Sequence, residues 1–200
     1  MPKTEEEKGF VEIVDGNYKI KGKFHIVEEN QPIFDKDTGK LAGVTNPRDM
    51  TYIHSYGGEA PFFEGITQGK LLATRCDNEN CLSKGKIFEP FRIHCPDCLR
   101  KNTIVDITDK AKNKAKIHTF IITHRAGAFN TLPKPIKFIN VEFDEEVSTI
   151  LMSILAVGEP NIGKRVVPIF NTKNPTYTIM DLRFVPEGTP ESELPEGFTF

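Results

Sequence analysis

The chain has 200 residues, with 28 acidic against 26 basic side chains, a formal net charge of -2, 38% apolar and 27% charged residues. That is the make-up of a packed, water-soluble protein of one medium domain or two small ones. No apolar run approaches the roughly 18 residues of a membrane-spanning helix, and the slightly acidic balance lacks the basic excess of most nucleic-acid binders. Without a secretory apolar segment the expected location is cytoplasmic. With 15 Phe, 4 Tyr and no Trp, the aromatic complement suits cores and dry interfaces.

Residues 1–9 are polar and read as a frayed end. Phe10 to Val14 and Tyr18 to Lys21 alternate apolar and polar residues around Asp15-Gly16-Asn17, a hairpin signal, and Gly22 to Val27 can extend it. Phe34 to Lys40 is a second turn, and residues 44–58 read as a linker. A lone hairpin is marginal, so residues 1–58 are expected to be a β-rich extension. Ala60 to Gly69 reads as a short helix, with Pro61 in its first turn and Gly69 at its stop. Phe62, Phe63 and Ile66 give it an apolar face, either packed in a core or docked on a partner protein. Lys70 to Arg75 leads as a strand into the first cysteine.

The four cysteines fall in two close pairs, Cys76 with Cys81 and Cys95 with Cys98. Each pair suits a tight turn that aims two thiolates at one ion, and four thiolates make a closed structural zinc site. Residues 82–94 can form the hairpin that joins the pairs, and Pro96-Asp97 fits the second turn. Disulfides need an oxidising compartment, a redox pair more often stands alone beside a βαβ unit, and iron accepts the same four-sulfur set as zinc. His94, next to Cys95, is a further candidate ligand or a surface residue.

Short strands follow. Asn102 to Ile107, Lys116 to His124, Ile139 to Phe143, the apolar run Val147 to Val157, Arg165 to Phe170 and Met180 to Phe184 predict a small closed barrel of the OB type, with Pro168 marking an edge. Residues 187–200 are acidic and carry prolines; they read as a disordered tail unless Phe198 and Phe200 latch into a groove. The fold class is therefore mainly β: an N-terminal β-rich extension and short helix, a four-cysteine zinc ribbon, and a C-terminal OB-type β-barrel.

No nucleophile elbow, phosphate-binding loop or dinucleotide fingerprint is present, and the cysteines are committed to metal, so no catalytic residue is assigned. His118 and His124, six apart on one predicted strand, are expected on one face. Lys110, Lys112, Lys114 and Lys116 fall at every second position. On an extended chain they would line one side near Arg125, as a solvated face or as a hold for a phosphate-bearing ligand.

Taken in order, a Phe-Phe helix ending in Gly69-Lys70-Leu71-Leu72, a ribbon closed by Cys95-Pro-Asp-Cys98, then Ile162-Gly163-Lys164-x-Val166 and Phe184-Val185-Pro186 resemble one family. It is the rubredoxin-like zinc-ribbon plus OB-fold family, long catalogued as a domain of unknown function and found beside thiolases. The resemblance covers about residues 59–186, and Cys76 and Cys81 enclose four residues where the family usually has two. It implies a division into the extension (1–58), docking helix and strand (59–75), ribbon (76–101), barrel (102–186) and acidic tail (187–200). It also implies a non-catalytic subunit in a hetero-oligomer with a thiolase-fold catalytic subunit, with structural zinc, and with coenzyme A or acyl-CoA bound by the complex. Phe62, Phe63 and Ile66 would dock the partner, and Lys114, Lys116 and Arg125 would meet the CoA phosphates. No nucleic acid and no membrane partner is implied; a nucleic-acid-binding ribbon and OB module is the alternative, since both parts serve there.

Overall fold

A computed structural model describes residues 9–22, 32–44, 56–126, 130–148 and 150–200. The chain divides into two compact units, Met1–Ser55 and Tyr56–Phe200. Most of the linker expected over 44–58, and the extension of the first hairpin toward Val27, lie outside the described residues.

In the first unit, β1 (Phe10–Val14) pairs antiparallel with β2 (Asn17–Lys21), with Val14 opposite Asn17. The two-residue turn puts Asp15 at φ 51° and Gly16 at φ 73°, the left-handed pair that matches the twist of the strands. An ion pair of 2.6 Å joins Lys21 to Glu12 across the hairpin. A second hairpin joins β3 (Pro32–Phe34) to β4 (Leu41–Val44). Its turn is organised by the Asp35 carboxylate, which accepts from the Thr38 amide at 2.7 Å and the Asp37 amide at 3.0 Å. The Thr38 amide, then its hydroxyl, hold that carboxyl below the usual range.

In the second unit a 3₁₀ turn (Gly57–Glu59) runs into helix α1 (Ala60–Thr67), with Pro61 in the first turn. Gly69, at φ 75°, turns the chain away after it. Phe62 and Ile66, four apart and so on one face, are buried in the main core. Strand β5 (Leu72–Arg75) is flanked by β6 (Ile87–Phe88) and β7 (Thr103–Asp106) in an antiparallel sheet. The strand expected over 102–107 thus belongs beside β5 in the ribbon sheet.

Helix α2 (Thr108–Lys114) follows. It begins where Asp106 accepts from the Thr108 amide at 2.9 Å, has Asp109 in its first turn and Lys112 and Lys114 in its last, and buries Ala111, with Ala115 buried just past its end. This corrects the extended lysine row. On a helix, alternate residues lie about 200° apart, so Lys110, Lys112 and Lys114 do not line one side. Lys110 instead ties the helix to the next turn, at 2.6 Å from Asp144 and 2.7 Å from Glu146.

Strands β8 (Lys116–Ala126), β9 (Asn130–Glu142) and β10 (Leu151–Ile154) form one antiparallel sheet. Strands β11 (Val166–Asn171), β12 (Leu182–Pro186) and β13 (Phe198–Thr199) form another, with β11 in the middle. Two bridges link the sheets: Lys116 to Arg165, antiparallel, and Leu155 to Phe184, parallel. The strands therefore follow one another in a ring, β8-β9-β10-β12-β11, an order compatible with the OB-type barrel expected. Ile117, Ile139, Val141, Phe170, Leu182 and Phe184 fill it, continuous with Phe62 and Ile66. Each buries roughly 1.5–3 kcal/mol of apolar transfer energy. Among the described residues of the 147–157 run, only Leu151–Ile154 form a strand. Pro168 sits opposite Phe184 but where β13, paired only at Phe170 and Asn171, does not reach, so the missing N–H breaks no ladder.

The tail is not disordered. A 3₁₀ turn (Glu191–Glu193) leads to β13, Phe198 is buried with Ile169 and Val185, and Phe200 stays exposed. Among the described residues no helix is long and apolar enough to cross a membrane.

Candidate metal centre

The two cysteine pairs meet at the end of the ribbon sheet. Cys76 follows directly on β5, and its amide donates to Lys86 O at 3.2 Å while its carbonyl accepts from Gly85 at 2.8 Å. Cys81 lies in the turn between, donating to Asn78 O at 3.0 Å. In the second turn Cys95 donates to Arg100 O at 2.9 Å and accepts from Leu99 at 3.0 Å, and His94 bridges to Lys101 beyond it. Ser83 donates to the Asp97 carboxylate and links the two turns.

The four sulfurs lie within 4.8 Å of one another. Cys76 Sγ is 3.8 Å from Cys98 Sγ, and Cys81 Sγ is 3.7 Å from Cys95 Sγ. A disulfide needs about 2.05 Å, and all four thiols are unbridged. A tetrahedron with metal–sulfur bonds of about 2.3 Å has edges of about 3.8 Å, so the spacing fits a four-thiolate site for an ion such as zinc. The six-residue first turn closes as well as the four-residue second one. His94 is exposed and outside the cluster.

Neighbouring donors prepare the sulfurs. The amide two residues after Cys76 (Asn78), after Cys81 (Ser83, 3.4 Å) and after Cys98 (Arg100) each reaches a sulfur. Such bonds favour thiolate. The Asn78 side chain first, then the Arg100 amide, bring Cys98 down to about 6. At Cys81 the Ser83 amide works the other way, but burial and the thiols of Cys98 and Cys95 push it up to about 12. Four thiolates this close repel one another, and that repulsion is what a divalent cation removes. The residues two positions beyond Cys76, Cys81 and Cys98 supply these backbone donors; nothing in the sequence pointed to the Asn78 side chain.

The other candidate residues do not converge. Phe62 and Ile66 lie in the core at 5% and 0% exposure, so the core-packing reading of that face holds for both. Phe63 is half-buried, stacked on Tyr56 at 3.9 Å. Lys116 is paired with Glu142 at 3.0 Å, while Lys114 and Arg125 are exposed. The β8–β9 register shifts at His118 and again at His124, so the simple alternation that would place both on one face is interrupted. His118 Nδ1 lies 2.6 Å from Glu142.

Two features escaped the sequence reading. Glu89 is fully buried beside β6, and burial raises its carboxyl well above the usual range. Asp181 is also buried. It accepts from Asn171 at 2.9 Å and the Thr176 amide at 2.8 Å, and so pins the β11–β12 connection.

No family model matches the sequence, and no curated protein matches it. The structure is similar to the crystal structure of a protein of unknown function from the DUF35 family of Sulfolobus solfataricus, at 22% identity and a TM-score of 0.48, over 67% of this chain and 90% of that one.

Proposed function

We propose that this chain is a non-catalytic, metal-clipped subunit that supports a thiolase-fold partner in CoA-dependent cleavage of an acyl-CoA. The observation that carries the reading is the closed four-sulfur cluster. Four thiolates leave an ion no open position for water or substrate, so the metal would hold shape and take no part in chemistry. Apolar side chains on the outward face of the β8–β10 sheet support a protein partner: Ile121 and Met152 are 65% and 63% exposed. Scattered exposed apolar residues are ordinary, but a contiguous set on one sheet suits an interface. The acyl group proposed is benzoylsuccinyl, as in anaerobic toluene degradation, on the resemblance of the N-terminal extension alone. Lys114, Lys116 and Arg125 remain the proposed CoA phosphate contacts, Lys116 after release from Glu142.

Co-expression with a thiolase-fold subunit should give a stable hetero-oligomer, and thiolysis by that subunit should need this chain. Met152→Glu together with Ile121→Glu should abolish co-purification and leave the isolated fold intact. Partner activity that is unchanged without this chain would end the proposal. A nucleic-acid module is the second reading, favoured by the exposed Phe120 on the barrel. It requires a gel shift with a steep salt slope.

A further inference from the structure

Away from the cysteines, a trough of about 480 Å³ crosses the outer faces of β9, β10 and β12. Its apolar part includes Ile136, Ile154, Leu155 and Met180, its charged part is Lys134, Lys137 and Arg183, and among the described residues no carboxylate lines it. A patch with three cations and an apolar floor is unexpected on a chain whose net charge is -2.

The three cations differ. Lys137 is occupied, at 2.7 Å from Gly158 O and 2.6 Å from Glu159. Among the described residues neither Lys134 nor Arg183 forms an ion pair. Strand alternation puts Leu182 and Phe184 inside and turns Arg183 outward, opposite Ile169. There its guanidinium lies 4.6 Å over the Phe198 ring, and that ring is held by β13 against β11. Its Nε is buried and, among the described residues, makes no hydrogen bond. A guanidinium partly out of water, with a donor unmet, is unfavourable for the fold alone. It is favourable where an anion arrives, because the ring has already fixed its plane and less freedom is lost on binding. Burial also lowers its pKa, against the opposing charge of Asp181.

We infer that this trough binds an amphipathic anion, a carboxylate or phosphate monoester whose head lies between Arg183 and Lys134 and whose apolar body lies on Ile136, Ile154 and Met180. The place suits the architecture: the face of the second and third barrel strands, beside the connection into the last, is where OB-type barrels take ligands. The lining argues against a single-stranded nucleic acid, which needs aromatic platforms for its bases, since among the described residues no Phe, Tyr or Trp lines this trough.

Calorimetric titration of the full chain with octanoate and with octyl phosphate tests this, with inorganic phosphate and a single-stranded oligonucleotide as comparators. At least one alkyl anion should saturate, and the two arms tell carboxylate from phosphate. Inorganic phosphate should bind at least about tenfold more weakly, since each buried methylene contributes about 0.8 kcal/mol. Arg183→Gln should weaken binding about 10- to 100-fold, the range of a charge-assisted hydrogen bond. Lys134→Gln, at an exposed position, should weaken it severalfold and keeps the test valid if the Arg183 variant unfolds. The inference is overturned if neither alkyl anion saturates by about 10 mM, if Lys134→Gln and a folded Arg183→Gln both bind as the parent does, if inorganic phosphate binds as tightly as octyl phosphate, or if the oligonucleotide displaces the alkyl anion. The titration needs no partner, so its failure is separate from failure of the thiolase reading.

Discussion

Between Cys76 and Cys98 one buried apolar set consists of Phe88 packed with the cysteines themselves. In the barrel a continuous core runs from Ile66 through Ile117, Val141 and Phe170 to Phe184. Ordering the backbone opposes folding by about 1–2 kcal/mol per residue in both. The barrel offsets this with apolar area. The ribbon contributes only Ile87 and Phe91 to that core, and the four-sulfur cluster is the feature that offsets the rest once an ion is bound. One compact unit therefore has two regions with different sensitivities, and each can be attacked separately.

The largest effect belongs to the sulfurs. Cys95→Ser should abolish tight metal binding, removing a contribution of the order of 10–16 kcal/mol seen for structural zinc in small domains. Hydrogen exchange should then lose protection over residues 76–101 and keep it in β8–β12. Strong chelation of the parent should do the same. Collapse of the barrel in step with the ribbon would show that the two regions are one.

The converse experiment is Phe184→Ala. Phe184 is fully buried, and removing such a ring costs about 3–5 kcal/mol. Urea denaturation should show that loss in the barrel transition, while elemental analysis still finds one ion per folded chain. Loss of metal from the folded variant would overturn the separation.

A smaller effect comes from Glu89, buried in the ribbon directly after β6. Its pKa in the folded chain is raised by burial, above the roughly 4.3 of an unfolded glutamate. The sign follows: the neutral form is the better buried one, so the group's stabilisation is complete below the unfolded pKa and fades as pH rises toward the folded value. Relative to Glu89→Gln, the parent should become steadily less stable as pH rises above about 4.3, levelling off above the folded pKa. The measurement is the difference in thermal midpoint across pH, with the metal-bound state verified at each point. A difference that does not vary with pH would mean that Glu89 is no more desolvated in the folded chain than in the unfolded one.

What was legible from residues alone followed local chemistry. Asp15-Gly16 announced a hairpin because few residues accept two left-handed conformations in succession, and Cys-x-x-Cys announced a metal because its turn can hardly point two thiols elsewhere. Pro61 and Gly69 bracketed α1 for similar reasons. What misled was pattern read at the wrong period. The lysines at 110–116 repeat every second residue, but Ala111 and Ala115, four apart, carried the period that mattered, and burial of small residues decided for a helix. The tail looked disordered because its composition is acidic; two Phe residues separated by one Thr were enough for Phe198 to reach the outside of β11. Arg183 looked like any outward residue of an alternating strand. Its role depends on Phe198, Lys134 and Ile136 arriving from other strands, which no local window contains.

The smallest predicted effect tests the ribbon alone. Leu99 follows the last cysteine with φ 58°, a left-handed conformation that disfavours a side chain by roughly 1–2 kcal/mol. It is 75% exposed, so little packing compensates. Its amide closes the second turn on Cys95 O at 3.0 Å, which fixes the conformation. Leu99→Gly relieves the strain, although glycine adds about 0.4–1 kcal/mol of freedom to the unfolded chain. The net gain should lie between zero and about 1.6 kcal/mol, and it should appear only in the ribbon, as a severalfold greater resistance to a competing chelator, with the barrel's urea midpoint unmoved. A lower metal affinity in Leu99→Gly would show that the exposed leucine makes a contact worth more than the strain it carries.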